Sequence, residues 1–299
     1  MSNEARVGFV GLGFMGRGMA ACILAAGHPL AVTGRRNRAP VEGLLAKGAR
    51  EVADAATLAR ESDVVVLCVT GSPQVEDVAR GDRGLLAGAR AGLTIVDCTT
   101  ADPTSTERLA AEFAARGAHF VDAPLGGTPA QAETGALSAM VGATDEGFAA
   151  AAPVIGRFAA KIERIGPPGA GHRMKLLNNF LSLGYAAIYS EALALAAKSG
   201  IAPETFDRAI RGGRMDCGFY RTFFDYVVGG NPEAHKFTIA NAYKDLRYLA
   251  AMADAAGVAN PVGTAAKNSF ALAVGLGKAE RYVPTLSDVV AEANGAKLR

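Results

Sequence analysis

An α/β domain with a doubly wound, mostly parallel sheet, joined by a long interdomain helix to an all-α domain, is the fold this sequence predicts. Three observations carry it. Short apolar runs alternate with amphipathic stretches up to about residue 165, the cluster Ile165-Gly166-Pro167-Pro168-Gly169 breaks that pattern, and strand-like segments stop after it. A chain of 299 residues exceeds one typical core, so we read two domains, 1–166 and 167–299.

The strand-like segments lie near 6–10, 29–33, 63–69, 93–98, 119–123 and 138–142, with helix candidates such as 15–26, 41–47, 74–79 and 104–116 between them, as βαβ units require. From 170 to about 198 there is no proline. Leu176, Leu177, Phe180, Leu181, Leu183, Tyr185 and Ala186 recur at helical spacing, and Ser199-Gly200 stops the helix. Further helices are expected from Pro203, near 216–228 and 238–256, from Pro261, and after Pro284. A helix this long and this apolar all round needs more cover than the remaining residues supply, which predicts a homodimer or homotetramer built on it.

The 31 basic and 29 acidic residues are interspersed and leave a net charge of +2, which argues against nucleic acid or an acidic membrane surface as partner and leaves room for a small anion. Cys22, Cys68, Cys98 and Cys217 show no CxxC pairing and read as core fillers. No signal peptide or apolar run of transmembrane length is apparent, so the cytoplasm is the expected compartment. His28, His119, His172 and His235 lack metal-ligand spacing, and neither a G-x-S-x-G elbow nor a GKS/GKT phosphate loop occurs.

The strand Val7–Val10 runs into Gly11-Leu12-Gly13-Phe14-Met15-Gly16, which then opens a helix. Gly11 permits the tight turn, Gly13 lets the backbone approach a pyrophosphate, Gly16 allows close helix–strand packing, and the helix N-terminus offers N–H groups to phosphates. The second strand ends in Thr33-Gly34-Arg35-Arg36, with no acidic residue between Glu4 and Glu42. An NAD site usually places Asp or Glu there for the ribose hydroxyls; two guanidinium groups suit a 2′-phosphate and predict NADP(H) over NAD(H).

Asp122-Ala-Pro-Leu-Gly126-Gly127-Thr128 follows a later strand, and backbone N–H groups exposed by Gly126, Gly127 and Thr128 suit a carboxylate. Lys175 and Asn179 are four apart on the long helix and share a face. The positive helix end favours the neutral form of a lysine placed there, which suits proton donation to a developing alkoxide.

With these residues the chain resembles the β-hydroxyacid dehydrogenases over nearly its whole length. Four blocks carry the resemblance: Gly11 to Ala20; Asp122 to Gly127 with Gly135 and Met140-Val-Gly142; Gly171-His-Arg-Met-Lys-Leu-Leu-Asn-Asn179; and Lys244-Asp-Leu246. It implies that Lys175 is the catalytic acid/base, that Asn179 helps hold substrate, and that Thr100 lies near nicotinamide and substrate. It further implies that Val69 and Thr70 contact the cofactor, and that Lys244 and Asp245 serve nicotinamide and substrate. The expected substrate is a small carboxylate, a short 3-hydroxy acid or semialdehyde. Where the family has Ser-Gly-Gly, this chain has Gly126-Gly127-Thr128; the similar sulfolactaldehyde reductase pattern is Gly-Arg-Thr, and its arginine position is Gly127 here. Sulfolactaldehyde reduction, imine reduction on the same fold, and a non-catalytic NADPH-binding module are the alternatives. The lysine argues against the second and third.

Overall fold

The computed structural model describes residues 4–34 and 37–298. Two compact units divide within the long helix, Met1–Lys175 and Leu176–Arg299.

In the first unit, β1 (Val7–Val10), β2 (Leu30–Val32), β3 (Arg50–Glu51), β4 (Val64–Leu67), β5 (Thr94–Asp97) and β6 (His119–Asp122) form a parallel sheet in the order β3-β2-β1-β4-β5-β6. Its connections are α1 (Gly16–Ala25), α2 (Ala39–Leu45), α3 (Ala55–Glu61), α4 (Ser72–Arg80), α5 (Leu85–Gly88) and α6 (Pro103–Ala114). The sheet continues through β7 (Leu125–Gly126), α7 (Pro129–Glu133), β8 (Leu137–Gly142), α8 (Asp145–Ile155) and β9 (Ala159–Gly166); β8 is antiparallel to β6 and β7, and β9 is parallel to β8.

Both faces of the central strands β1, β4 and β5 are buried, which explains why they read as continuous apolar runs. Val64 and Val66 enter one core with Val7, Phe9, Val96 and Val121, whereas Val65 and Leu67 enter the opposite core with Ile95 and Phe120. The segments expected as strands at 6–10, 29–33, 63–69, 93–98, 119–123 and 138–142 contain β1, β2, β4, β5, β6 and β8. The sequence pattern missed β3, whose two residues are an exposed Arg-Glu pair at the sheet edge, β7, which is too short to show alternation, and β9, whose mostly exposed residues carry no apolar run.

The second unit contains most of α9 (Ala170–Lys198), then α10 (Pro203–Ile210), α11 (Gly218–Val227), α12 (Ile239–Ala255), α13 (Pro261–Gly275) and, after a 3₁₀ turn at Val283–Thr285, α14 (Leu286–Ala293). Side chains cap the starts the prolines and polar residues announced: Asn260 accepts from Gly263 N–H at 3.1 Å, and Thr238 from Asn241 N–H at 3.2 Å. An aromatic cluster fills the centre, with Tyr189 edge-on to Tyr220 at 5.4 Å and to Phe223 at 5.5 Å.

Contrary to expectation, one helix among the described residues is long and apolar enough to cross a membrane: α9, by length and composition. Its polar residues are interspersed, so no unbroken apolar run announces it. Half of its most apolar window is buried within the protein, as in a core helix.

Candidate active site

The turn after β1 sits where the strand order reverses between β1 and β4, the place at which open α/β sheets bind ligands. Gly11 has φ +99°, and a Cβ there would lie 2.1 Å from the Cys68 carbonyl oxygen. A Cβ on Gly16 would lie 2.0 Å from the Gly11 oxygen, whereas one on Gly13 would meet nothing within 4 Å. Two glycines are thus demanded by backbone packing, and the third leaves an open approach. Leu12 and Met15 are half-buried and Phe14 is exposed. No side chain caps α1, and its first turn holds no acid, so its N-terminus keeps the positive end that diphosphate needs. These residues fit a dinucleotide.

Arg35 and Arg36 lie outside the described residues. Beside them, a Cβ on Gly34 would lie 2.1 Å from Arg38 Nη1 and 2.4 Å from Glu51 Oε1. Arg38 grips Glu51 through two bonds of 2.6 and 2.8 Å, and the guanidinium holds the Glu51 carboxyl below its ordinary range. An acid therefore does reach the end of β2, carried by the neighbouring strand β3 and matched by a cation. Reading along β2 alone cannot find it.

The connections after β4 and β5 are tied together. Val69 N–H donates to Thr99 Oγ1 at 3.2 Å, and Thr99 N–H donates to Asp97 Oδ1 at 2.9 Å. Thr70 is exposed beyond Val69, and Thr100 is half-buried beyond Thr99. Burial pushes the Asp97 carboxyl above its ordinary value and the Cys68 thiol up to about 12, which leaves that cysteine a neutral filler.

Lys175, half-buried, follows a helix start held from outside. The segment Pro167-Pro168-Gly169-Ala170 supplies no capping side chain of its own. Asp122, at the end of β6, supplies it: Oδ1 accepts from Gly169 N–H at 2.7 Å and Oδ2 from His172 N–H at 2.8 Å. Close approach makes this possible, since a Cβ on Gly171 would lie 2.3 Å from the Met140 carbonyl oxygen and one on Gly142 would lie 2.5 Å from Asp122 Oδ1. Burial pushes the Asp122 carboxyl up to about 6, against the N–H bonds that favour its ionised form. Because this lies above the value of an unfolded Asp, the group stabilises the fold most in acid, and that contribution is lost as pH rises through about 6. A carboxylate at this position also offsets the positive helix end that sequence reasoning assigned to Lys175.

Gly126 belongs to β7 and pairs with Ser138 of β8. Gly127 has φ +126°, and a Cβ there would lie 2.8 Å from Leu137 Cδ2. Thr128 closes a capping box on α7, with its N–H donating to Gln131 Oε1 at 2.9 Å and its hydroxyl oxygen accepting from Gln131 N–H at 3.4 Å. One of the three amides expected to face a carboxylate is thereby committed to Gln131.

In the second unit, buried Asn179 donates from Nδ2 to Asp245 Oδ2 at 2.7 Å, and Lys244 Nζ stands 3.1 Å from Asp245 Oδ1 and 5.5 Å from the centre of the Tyr248 ring. Asn179, Lys244 and Asp245 are therefore one connected polar group, in which Asp245, itself 2% exposed, takes both partners.

The fold and the glycine turn define a dinucleotide-binding protein. A profile of the NAD binding domain of 6-phosphogluconate dehydrogenase matches residues 6–166, and one of the NAD-binding region of NADP-dependent 3-hydroxyisobutyrate dehydrogenase matches residues 169–283. The chain is 34% identical to 3-hydroxyisobutyrate dehydrogenase of Pseudomonas aeruginosa over 89% of its length and 91% of that protein's. It is 30% identical to 3-sulfolactaldehyde reductase of Escherichia coli, over 92% of each. Among solved structures, that of Psf3 in complex with NADP+ and 2-OPP superposes with a TM-score of 0.82 at 27% identity, covering 95% of this chain and 99% of that one. The chain belongs to the β-hydroxyacid dehydrogenase family, NAD(P)-dependent enzymes acting on CH–OH groups.

Proposed function

We propose that the protein catalyses reversible oxidoreduction between NADP(H) and a short 3-hydroxy acid or the corresponding semialdehyde, of the 3-hydroxyisobutyrate or succinic semialdehyde type. The observation that carries this reading is Lys175 on a helix start that Asp122 clamps to the sheet, within the unit that also holds the Gly11–Gly16 turn. The bound nicotinamide supplies or accepts the hydride. Lys175 Nζ hydrogen-bonds the reacting oxygen, giving its proton to the alkoxide on reduction and taking one from the hydroxyl on oxidation. The Gly126–Thr128 loop receives the substrate acid through its backbone, chiefly at Gly127, since Thr128 N–H is already engaged. Thr100 borders the reacting centre. Asn179 serves the substrate, and Asp245 orients Asn179 while neutralising Lys244.

A carboxylate is favoured over a sulfonate because no guanidinium is available at Gly127, where backbone φ and the Leu137 contact both oppose a larger side chain. Arg35 and Arg36 favour the 2′-phosphate, and the Arg38–Glu51 pair keeps the nearby acid from competing for it. A homodimer through α9 accounts for its outer stripe, in which Met174, Leu181, Ile188 and Leu195 recur every seventh residue with 37, 59, 56 and 69% exposure.

Purified enzyme with NADPH is expected to oxidise the coenzyme when given methylmalonate semialdehyde or succinic semialdehyde, and Lys175→Met should lower kcat by at least about 10²-fold while coenzyme still binds. Full activity in that variant refutes the acid/base role, and turnover confined to sulfolactaldehyde refutes the carboxylate. Replacing Arg35 and Arg36 together by Ala should raise the KM for NADPH more than that for NADH; an equal change removes the 2′-phosphate assignment. By light scattering, Ile188→Glu should convert the protein to monomer, and an unchanged oligomeric mass would exclude the α9 interface.

A further inference from the structure

His172 lies in the first turn of α9, and its ring is fully buried. A ring used only as apolar filler would leave its nitrogens unbonded, at a cost buried polar groups do not ordinarily carry. Here both are engaged. Nε2 stands 2.8 Å from the Thr99 carbonyl oxygen, and because a carbonyl can only accept, Nε2 carries a proton and donates. Nδ1 stands 2.7 Å from Thr106 Oγ1, a hydroxyl that also reaches the Asp102 carbonyl oxygen at 3.1 Å, and 4.0 Å from Asp122 Oδ2. The backbone N–H of the same residue is the one that Asp122 Oδ2 accepts.

Thr99 is the next joint. Its carbonyl takes the imidazole, its N–H goes to Asp97, and its hydroxyl takes the Val69 N–H. A single side chain therefore connects three segments: the helix turn that leads to Lys175 three residues on, the β5–α6 connection that carries Thr100, and, through Thr99, the β4–α4 connection that carries Val69 and Thr70. Asp122 fixes the axial position of the helix start through backbone bonds. The imidazole adds side-chain bonds to Thr99 and Thr106, on segments other than the strand that Asp122 ends, so the first turn is held at more points than the N–H clamp alone supplies.

We propose that His172 is a positioning residue, which locks the first turn of α9 onto the Thr99 and Thr106 segment and thereby sets Lys175 relative to Thr100. The proposal rests on the reading of Lys175 as the acid/base. Loss of the lock lets the lysine drift, and a drift of about 1 Å lowers turnover on the order of 100-fold. The cost falls on kcat more than on the KM for coenzyme, because the Gly11–Gly16 turn is not bonded to the ring and Val69 is linked to it only indirectly, through the Thr99 hydroxyl.

The test compares wild type, His172→Leu, His172→Gln, Thr106→Val and Lys175→Met by steady-state kinetics with NADPH and the semialdehyde that wild type reduces, each variant checked for its melting transition. His172→Leu is expected to lose kcat on the order of 100-fold with the coenzyme KM within about twofold, and His172→Gln, which can still donate to Thr99, to recover about tenfold of that loss. A folded His172→Leu with wild-type kcat overturns the proposal, as does a His172→Gln no better than His172→Leu. Should His172→Leu fail to fold, Thr106→Val removes the Nδ1 partner together with one hydroxyl contact to the Asp102 carbonyl, both without touching the ring or the Thr99 bond, and its kcat falls about tenfold if the lock matters and stays at the wild-type value if it does not. Loss of activity in Lys175→Met with none in His172→Leu defeats this inference alone; full activity in Lys175→Met defeats the acid/base reading and this inference with it.

Discussion

The carboxylate of Asp122 accepts two amide hydrogens from the start of a helix to which it does not belong, and the arrangement around Lys175 depends on that contact. Helix N-termini expose N–H groups that need acceptors, and α9 begins after two prolines and a glycine with no capping side chain of its own. The acceptor comes from the last residue of β6, which places the helix at the carboxyl end of the parallel sheet. That is the end at which the Gly11 turn and the Val69 and Thr99 connections also emerge. Gly142 and Gly171 make the approach possible by having no Cβ, so the Met140-Val-Gly142 and Gly171-His blocks have a packing cause.

The electrostatics follow from the same contact. A buried carboxyl with two N–H donors is balanced between desolvation and hydrogen bonding, and burial prevails far enough to raise Asp122 to about 6. Asp97 is its register neighbour on β5 and is raised by burial as well, so two acids of elevated proton affinity stand side by side at the strand ends, with His172 Nδ1 4.0 Å from Asp122 Oδ2. Proton affinity near the helix start is therefore set by buried groups of the sheet as well as by the field of α9.

Much of this was legible in the sequence. The alternation of apolar runs and helices, the Gly-Pro-Pro-Gly break and the long helix from 170 to 198 all emerge from local pattern, because central parallel strands and an apolar helix bury most of what they carry. The glycine turn was legible because each glycine has its own steric demand. What stayed hidden was contact across strands. Glu51 reaches the end of β2 from an edge strand of two exposed residues, Thr128 gives its amide to Gln131, and His172 looked like an isolated histidine until Thr99 and Thr106, 73 and 66 residues away, came beside it. Chain spacing does not encode such meetings. One signal was available: a 29-residue helix beginning without a cap calls for an acceptor from elsewhere, and the acid that opens the Asp122-Ala-Pro-Leu block was the candidate.

Native-state hydrogen exchange of the Gly169 and His172 amides tests the central claim most directly, because those two hydrogens are the ones the carboxylate holds. The structure predicts that both exchange slowly, together with the β5 and β6 amides of the sheet core, and that Asp122→Ala releases both while the β1 and β4 amides keep their protection. Rapid exchange of Gly169 and His172 in the wild-type protein, at the rate of an open loop, would contradict the claim that Asp122 anchors the helix that bears Lys175.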